Sequence, residues 1–352
     1  MKIAVDCRYI GKSGIGTYIE NIVDELCNNH LEHNYLLIAE QGKDLKCCND
    51  NVSVFYTNIQ PFSLKELFAF PTREINQCDA YFTPYINIPS GIKIPIYSTI
   101  HDVIFLDLPS LTSGIGKMIR KWFIHRAIKK SKSIFTVSEF SKSRIKFYFN
   151  TNKNVVVTFS AISKSLKQYS KDNVSRYSKG SYLIYVGNIK AHKGLKVLLE
   201  AFAQAISDGY DKELYIVGDA EKMRTSDSQI NHYIENTNKI KFTGFIPNEE
   251  MYNLISGADA LVLPTFYEGF GLTPLEALYL GTDVIISDIE VLKEVYSKLP
   301  VTFFRTGDID DLAEKILKNH NNIEEVDKLR NRIDGLYNFR DISVKILKEI
   351  EI

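Results

Sequence analysis

Short apolar runs alternate along the whole chain with segments whose apolar positions recur every three to four residues. The runs at residues 3–5, 35–39, 52–56, 94–100, 134–137 and 155–158 are rich in β-branched and aromatic side chains, and each predicts a strand. Pro95 falls near the start of its run, where a missing N–H is tolerated. Between the runs, Ile19, Ile22, Val23 and Leu26 share one helical face, and Ser138 stands where a helix cap is expected. The alternation then pauses. Residues 163–181 are polar, rich in lysine and serine and weakly patterned, which places a linker there. Beyond it the pattern restarts with strands at 182–186, 214–217, 241–243, 260–263 and 284–287, and a helix carrying Leu195, Leu198, Leu199 and Phe202. Strands alternating with helices give parallel sheets covered on both faces. A length of 352 residues exceeds what one core usually supports, about 250 residues. The chain therefore reads as α/β with two Rossmann-like domains, at residues 1–165 and 180–339, and a last helix at about 340–352.

Composition narrows the function. With 43 basic and 43 acidic residues the formal net charge is zero, so no global field draws the chain to nucleic acid. The five cysteines, Cys7, Cys27, Cys47, Cys48 and Cys78, are odd in number and lack a CxxC spacing, which argues against a disulfide framework or a zinc site and fits a reducing compartment. The first residues are too short and polar a stretch for a signal peptide, and no apolar run approaches the roughly 20 residues of a membrane span. The expected location is cytoplasmic, or peripheral on the inner face of the membrane.

In open parallel sheets ligands bind beyond the carboxyl ends of strands, so the loops after strands carry the candidate chemistry. Gly11 to Gly16, with Gly14 and Gly16, lies between the first strand and first helix, where bare backbone can approach a phosphate or sugar. Gly14 and Gly16 also begin a dinucleotide fingerprint, with Glu40 as a ribose-binding acid, but Ile19 fills its third glycine position; a tight turn with no ligand is the plainer alternative. His101-Asp102 follows the strand at 94–100. His101 can donate to a developing charge or contact a sugar hydroxyl, or be a structural loop histidine with Asp102 capping the next segment. In the loop from Gly187 and Asn188 to Gly194, Lys193 precedes a helix start, a poor place for a cation unless an anion joins it. The loop 264–277 combines Glu268, Gly269, Phe270, Gly271, Leu272, Thr273, Pro274 and Glu276. Thr273, Pro274 and Glu276 spell a capping box, in which Glu276 serves its own helix, whereas Glu268 in a glycine-rich turn suits polyol hydroxyls. Residues 108–138 contain no acid, and within them seven cations surround a stripe of Ile115, Met118, Ile119, Trp122, Phe123 and Ala127. Such a helix either lies on an anionic membrane surface or packs its stripe on the first domain.

Five blocks in this order resemble the large retaining glycosyltransferase family 4: GIGTYIENIV at 14–23, His101-Asp102, VSEFSKSRI at 137–145, YVGNIKAHKGLKVLLEAF at 185–202, and FTGFIPNEEMYNLISGADALVLPTFYEGFGLTPLEA at 242–277. The resemblance covers nearly the whole chain and implies the GT-B fold, two facing Rossmann-like domains with a cleft between them. It implies a nucleotide-sugar donor on the C-terminal domain and an acceptor on the N-terminal one. His101, Lys193 and Glu268 would be catalytic, with Lys193 on the diphosphate, Glu268 on the sugar and His101 beside the anomeric centre. Gly14, Gly16, Gly187, Asn188, Gly244, Phe245, Phe270, Gly271, Leu272, Thr273 and Glu276 would line the donor, Glu276 holding the ribose, and Asp102 would lie on the acceptor side. One departure stands out: many relatives carry arginine before the loop lysine, where this chain has His192, so either Lys193 acts with backbone donors alone or His192 adds a pH-dependent charge. The blocks are similar to bacterial O-antigen and capsule mannosyltransferases, which implies GDP-mannose, with a UDP-sugar as alternative. The acceptor implied is a glycan, carried on polyprenyl diphosphate, in lipopolysaccharide biosynthesis. No cofactor or metal is expected, since no DxD pair occupies a suitable loop. A non-hydrolysing nucleotide-sugar epimerase and an inactive sugar-binding protein are the competing readings.

Overall fold

The structure is a computed structural model and describes residues 1–43, 45, 49–173, 182–218, 238–318 and 325–352. It divides into two compact units, Met1–Ser163 with Tyr337–Ile352, and Lys164–Leu336. Of the stretch read as a linker, Lys164–Asp172 form a helix and residues 174–181 lie outside the described residues, as do Cys47 and Cys48. Cys7, Cys27 and Cys78 are buried thiols.

The first unit holds a seven-stranded parallel sheet in the order β3-β2-β1-β4-β5-β6-β7. Its strands are β1 (Lys2–Asp6), β2 (Asn34–Glu40), β3 (Val52–Thr57), β4 (Ala80–Thr83), β5 (Ile96–Thr99), β6 (Ser133–Thr136) and β7 (Asn154–Val157). Two helices, Ser13–Asn29 and Phe339–Glu351, pack against one another in this unit, so the end of the chain returns to it. The second unit holds a six-stranded parallel sheet, β10-β9-β8-β11-β12-β13. These are β8 (Tyr182–Val186), β9 (Glu213–Val217), β10 (Ile240–Gly244), β11 (Ala260–Leu263), β12 (Asp283–Ser287) and β13 (Thr302–Phe304). Helices Leu195–Ser207 and Ile309–Leu317 bury Leu198, Leu199, Phe202, Leu312 and Ile316 against it. Each sheet reverses its strand order once, between β1 and β4 and between β8 and β11. There the crossovers diverge and leave a crevice at the carboxyl ends of the strands.

Three local expectations change. Strands β4 and β13 were not legible, because β4 is four buried residues without alternation and β13 is a three-residue edge. The glycine motif lies mostly inside a helix, which begins at Ser13 and carries Gly14 and Gly16 in its first turns. A Cβ on Gly16 would overlap the Tyr9 carbonyl oxygen, so packing alone requires glycine there; around Gly14 there is open space. Finally, the helix after β11 starts at Leu272 with Gly271 as its cap at φ +82°, a left-handed backbone that threonine rarely adopts. Thr273 is therefore not the cap, and no capping box forms.

Candidate functional site at two sheet crevices

In the second unit, β8 and β11 flank the switch point, and the loops that leave them are stitched together. The carbonyl of His192 accepts from Phe266 N at 2.8 Å and from the Thr265 hydroxyl at 3.1 Å. Gly194 caps helix Leu195–Ser207 at φ +69°, and a Cβ there would overlap the Pro264 carbonyl, so the close crossing of the two loops depends on glycine. The crossing brings Lys193 Nζ to 2.6 Å from Glu268 Oε1, both side chains largely buried. The two charged residues singled out in separate loops thus form one ion pair at the crevice. A lysine so placed offers its remaining donors to an anion, and the carboxylate's remaining lone pairs suit hydroxyl donors. His192 does not add a titrating charge: burial, then Lys193 and Lys190, lower it to about 4, so the ring is neutral at neutral pH. Its Nδ1 is buried without a hydrogen-bond partner.

Glu276 sits in helix Leu272–Tyr279 and is 9% exposed. Among the described residues its carboxyl has no hydrogen-bond or ion-pair partner. Burial alone pushes it up from 4.5 to about 8. The helix packs against β11, β12 and helix Val326–Leu336, whose Arg330 and Asp334 have partners of their own. Arg330 binds Asp327 at 3.0 Å and the Tyr279 carbonyl at 2.9 Å, and Asp334 meets Lys167 at 2.6 Å. The bland explanation for Glu276, that it satisfies its own helix, is thereby removed. A carboxyl this far buried, without a protein donor, is stabilised by a ligand that supplies donors.

The remaining second-unit candidates also lie at strand ends. Gly187 N donates to the Val217 carbonyl at 3.1 Å, and Gly218 N to the Gly244 carbonyl at 3.2 Å. A Cβ on Gly218 would overlap the Gly187 carbonyl oxygen, so Gly187, Gly218 and Gly244 make one backbone layer across β8, β9 and β10. Asn188 gives its carbonyl to Tyr185 Oη at 3.3 Å. Phe245 is 93% exposed, whereas Phe270 is buried. The Gly271 carbonyl accepts from the Tyr296 hydroxyl, and Leu272 and Thr273 are half-buried in the first helical turn.

In the first unit, His101 follows β5. Its Nε2 lies 2.9 Å from the Pro84 carbonyl, which can only accept, so Nε2 carries the proton. Burial lowers the pKa of the ring, outweighing the Pro84 hydrogen bond and Asp102. The neutral ring therefore presents Nδ1 as an acceptor, which suits a sugar hydroxyl rather than donation to a developing charge. Asp102 Oδ1 accepts from Ile104 N at 3.0 Å, the capping role weighed for it. Ser138 caps helix Glu139–Phe149 through Ser141 N at 3.0 Å, and Ser141 Oγ donates to the His101 carbonyl at 3.1 Å. Glu40 is engaged by Lys12 at 2.6 Å and Gln60 at 2.8 Å, which leaves the dehydrogenase comparison without its ribose acid.

A second polar cluster escaped the sequence reading. At the switch point between β1 and β4, Arg8 is 1% exposed and binds Asp6 Oδ1 at 2.9 Å, Asp6 Oδ2 at 2.6 Å, the Ile59 carbonyl at 2.9 Å, Tyr85 Oη at 2.7 Å and Glu66. The one signal was a charged Asp-x-Arg following a buried strand; its partners lie far away in sequence. Helix Gly114–Lys130 meets the packed alternative only in part: it buries Ile124, Ala127 and Ile128, so that of the apolar stripe Ala127 is covered and Phe123 half-buried. Ile115, Met118, Ile119 and Trp122 are 70, 67, 51 and 49% exposed.

Comparisons with known proteins bear on the fold and on the second unit. Residues 167–334 match the family model described as glycosyl transferases group 1. The chain is similar to O-antigen chain mannosyltransferase B of Escherichia coli, 25% identical over 249 residues that cover 68% of this chain and 64% of that protein. It is also similar to O-antigen chain mannosyltransferase RfbU of Salmonella typhimurium, 30% identical over 198 residues covering 56% of this chain and 53% of that one. The matches thus span less than two thirds of either relative. Among solved structures, sucrose-phosphate synthase from Thermosynechococcus elongatus superposes with a TM-score of 0.74 at 16% identity, covering 99% of this chain and 98% of that one. Anabaena HepE in complex with UDP-glucose superposes with a TM-score of 0.72 at 16% identity, covering 100% and 99%. The chain has the GT-B fold, with two parallel-sheet Rossmann-like domains, and its residues 167–334 match the glycosyl transferases group 1 model.

Proposed function

We propose that the chain is a retaining hexosyltransferase of glycosyltransferase family 4. It transfers mannose from GDP-mannose to a lipid-linked glycan in surface polysaccharide synthesis. The observation that carries the reading is the buried, unpartnered carboxyl of Glu276, in the same unit as the Lys193–Glu268 pair. Two vicinal ribose hydroxyls supply the donors that Glu276 lacks. Lys193, with the N–H groups of Phe270, Gly271 and Leu272, neutralises the diphosphate without a metal ion. Glu268 holds the sugar hydroxyls, and in the first unit His101 is the catalytic residue, its Nδ1 accepting from a hydroxyl. Gly14, Gly16, Gly187, Asn188, Gly244, Phe245 and Thr273 belong to the donor-binding set, and Asp102 to the acceptor side. The diphosphate leaves, one of its oxygens takes the acceptor's proton, and the new bond forms on the same face of the sugar. Preorganised donors stabilise the leaving charge. The mannosyltransferase relatives support mannose; a UDP-sugar is the second reading, favoured by the likeness to the UDP-glucose complex.

A thermal-shift panel of GDP, UDP, ADP and TDP in EDTA tests the donor. GDP is expected to raise the melting temperature most. A larger shift with UDP moves the donor to a UDP-sugar, and a shift that appears only with magnesium or manganese removes the metal-free reading. In the transfer assay an α-linked donor should give an α-linked product by NMR coupling, and a β-linked product overturns the mechanism.

The acceptor side implies work at an anionic, cytoplasmic membrane surface. The exposed Ile115, Met118, Ile119 and Trp122, interleaved with Lys117, Arg120 and Lys121, support it. Among the described residues no helix is long and apolar enough to cross a membrane. The protein should sediment with acidic phospholipid vesicles and come off in high salt. Reversing the charges of Arg120, Lys121, Lys129 and Lys130 together should abolish sedimentation; undiminished binding returns the helix to a solvated face.

A further inference from the structure

The mechanism above uses His101 but not the group that fixes its ring. Tyr18, on helix Ser13–Asn29, meets the imidazole edge to face, with ring centroids 5.0 Å apart and planes at 86°. The phenol is 2% exposed. Its hydroxyl lies 3.1 Å from Thr158 Oγ1, and that threonine lies 3.2 Å from the Thr136 carbonyl at the end of β6. Behind Tyr18 stands Phe339, the first residue of the C-terminal helix, at 6.4 Å between centroids. The start of Tyr18's own helix is pinned two residues earlier by Gly16, which packs on the Tyr9 carbonyl. The imidazole is thus held on one side by a hydrogen bond to Pro84 and on another by an aromatic ring that is itself anchored at its hydroxyl and its back.

We infer that Tyr18 is a positioning residue for His101, fixing the ring plane and the Nε2–H tautomer so that Nδ1 faces its ligand as an acceptor. The inference rests on the role proposed for His101 and adds the device that sets it. It also gives a use to two features of the fold, the packing of Gly16 before Tyr18 and the return of the last helix to the first unit. An imidazole with only one hydrogen bond can rotate about its remaining torsion; an orthogonal ring in contact removes that freedom. The same ring keeps water from the imidazole and so contributes to its depressed basicity.

The test separates this device from the reading beneath it. Nitrogen-15 NMR of the imidazoles in ligand-free protein, with His101→Gln to assign the signal, should show Nε2–H and a midpoint below the usual 6.5. Tyr18→Phe, which keeps the ring, should preserve both; Tyr18→Leu should mix the tautomers and move the midpoint toward 6.5. Release of nucleoside diphosphate from GDP-mannose and UDP-glucose gives the kinetic arm. Tyr18→Leu should lower kcat about ten- to hundredfold with donor KM little changed, as expected for a misplaced group, and Tyr18→Phe should stay near wild type. Thr158→Val, which leaves the buried phenol hydroxyl in place but strands it from that partner and so pushes the ring off its seat, should fall between them and covers the case in which Tyr18→Leu does not fold. An unchanged imidazole signature in Tyr18→Leu, or in Thr158→Val where the leucine variant is unfolded, overturns the inference. A changed signature with turnover unaffected by either Tyr18→Leu or His101→Gln instead overturns the role proposed for His101.

Discussion

Glu276→Gln is expected to stabilise the ligand-free protein at alkaline pH while weakening nucleotide binding about ten- to hundredfold. The two effects have one cause. Burial lifts the folded-state carboxyl from 4.5 to about 8 with no cation or donor to offset it. Between those values the folded state holds a proton that the unfolded chain has released. The contribution to stability is therefore fully present below about 4.5, falls through the interval, and is lost once pH passes 8. Between pH 7 and pH 9 wild type should lose about 1.4 kcal/mol from this group, roughly 3–6 °C in melting temperature, and the glutamine variant should not. Binding runs the other way. A ribose diol needs the carboxylate, so ligand affinity should rise about tenfold from pH 7 to pH 9 as the proton leaves. A nucleotide sugar is the right probe, because its diphosphate carries no proton that titrates in this range. Loss of the charged hydrogen bonds costs about 1.5–3 kcal/mol, which sets the ten- to hundredfold loss of affinity.

Glu268→Ala supplies the control. Its partner is Lys193 at 2.6 Å, and its proposed ligand is the sugar, so free-nucleotide affinity should stay near wild type while turnover falls. Calorimetry on wild type and both variants at two pH values decides the matter. Equal losses of free-nucleotide affinity in Glu268→Ala and Glu276→Gln, or an affinity that does not change with pH in wild type, would remove the division of labour between the two glutamates.

What was legible in the chain follows from how local each determinant is. Strand β11 reads directly, because Ala260, Leu261, Val262 and Leu263 are apolar in sequence and buried in the fold. Lys193 and Glu268 could be nominated separately from their loops, but not as a pair: the contact depends on Gly194 letting one loop cross the Pro264 carbonyl of the other. The spelling of a capping box at Thr273 and Glu276 misled, because a single left-handed residue, Gly271, moves the helix start by two positions and turns Glu276 inward. Helix Gly114–Lys130 misled in a different way. Its apolar positions are at helical spacing, yet periodicity cannot say which of two apolar stripes the sheet takes, and the fold buries Ile124 and Ile128. The Arg8 cluster was invisible for a plainer reason. Asp6 and Arg8 lie at and just past the end of β1, Tyr85 and Asn87 follow β4, and Glu66 sits on helix Leu64–Ala69; the pairing of β1 with β4 and the packing of that helix bring them together.

That cluster carries the largest stability prediction. Arg8 lies between two carboxylates, Asp6 and Glu66, all three fully buried. Burial pushes Glu66 up despite Arg8, and it opposes the charge on Arg8 until Asp6, Tyr85 and Glu66 outweigh it. Removing the cation leaves two acids facing one another in a dry site, whereas removing all three charges leaves only a packing defect. Breaking a buried pair costs about 3–5 kcal/mol, but replacing a whole buried network by neutral groups of similar size is often close to neutral. Arg8→Met should therefore lower the melting temperature of the first unit by about 6–20 °C, and Asp6→Asn with Glu66→Gln in the same chain should recover most of it. Arg8→Lys should not rescue. An ammonium cannot reproduce the fork that spans both Asp6 oxygens while also reaching the Ile59 carbonyl. The chain's single tryptophan, Trp122, lies in the first unit, so its fluorescence reports that unit's unfolding apart from the second. A triple variant as unstable as Arg8→Met would mean that the arginine acts through packing, for instance its 4.3 Å contact with the Phe70 ring, and not by holding the two acids apart from their own repulsion.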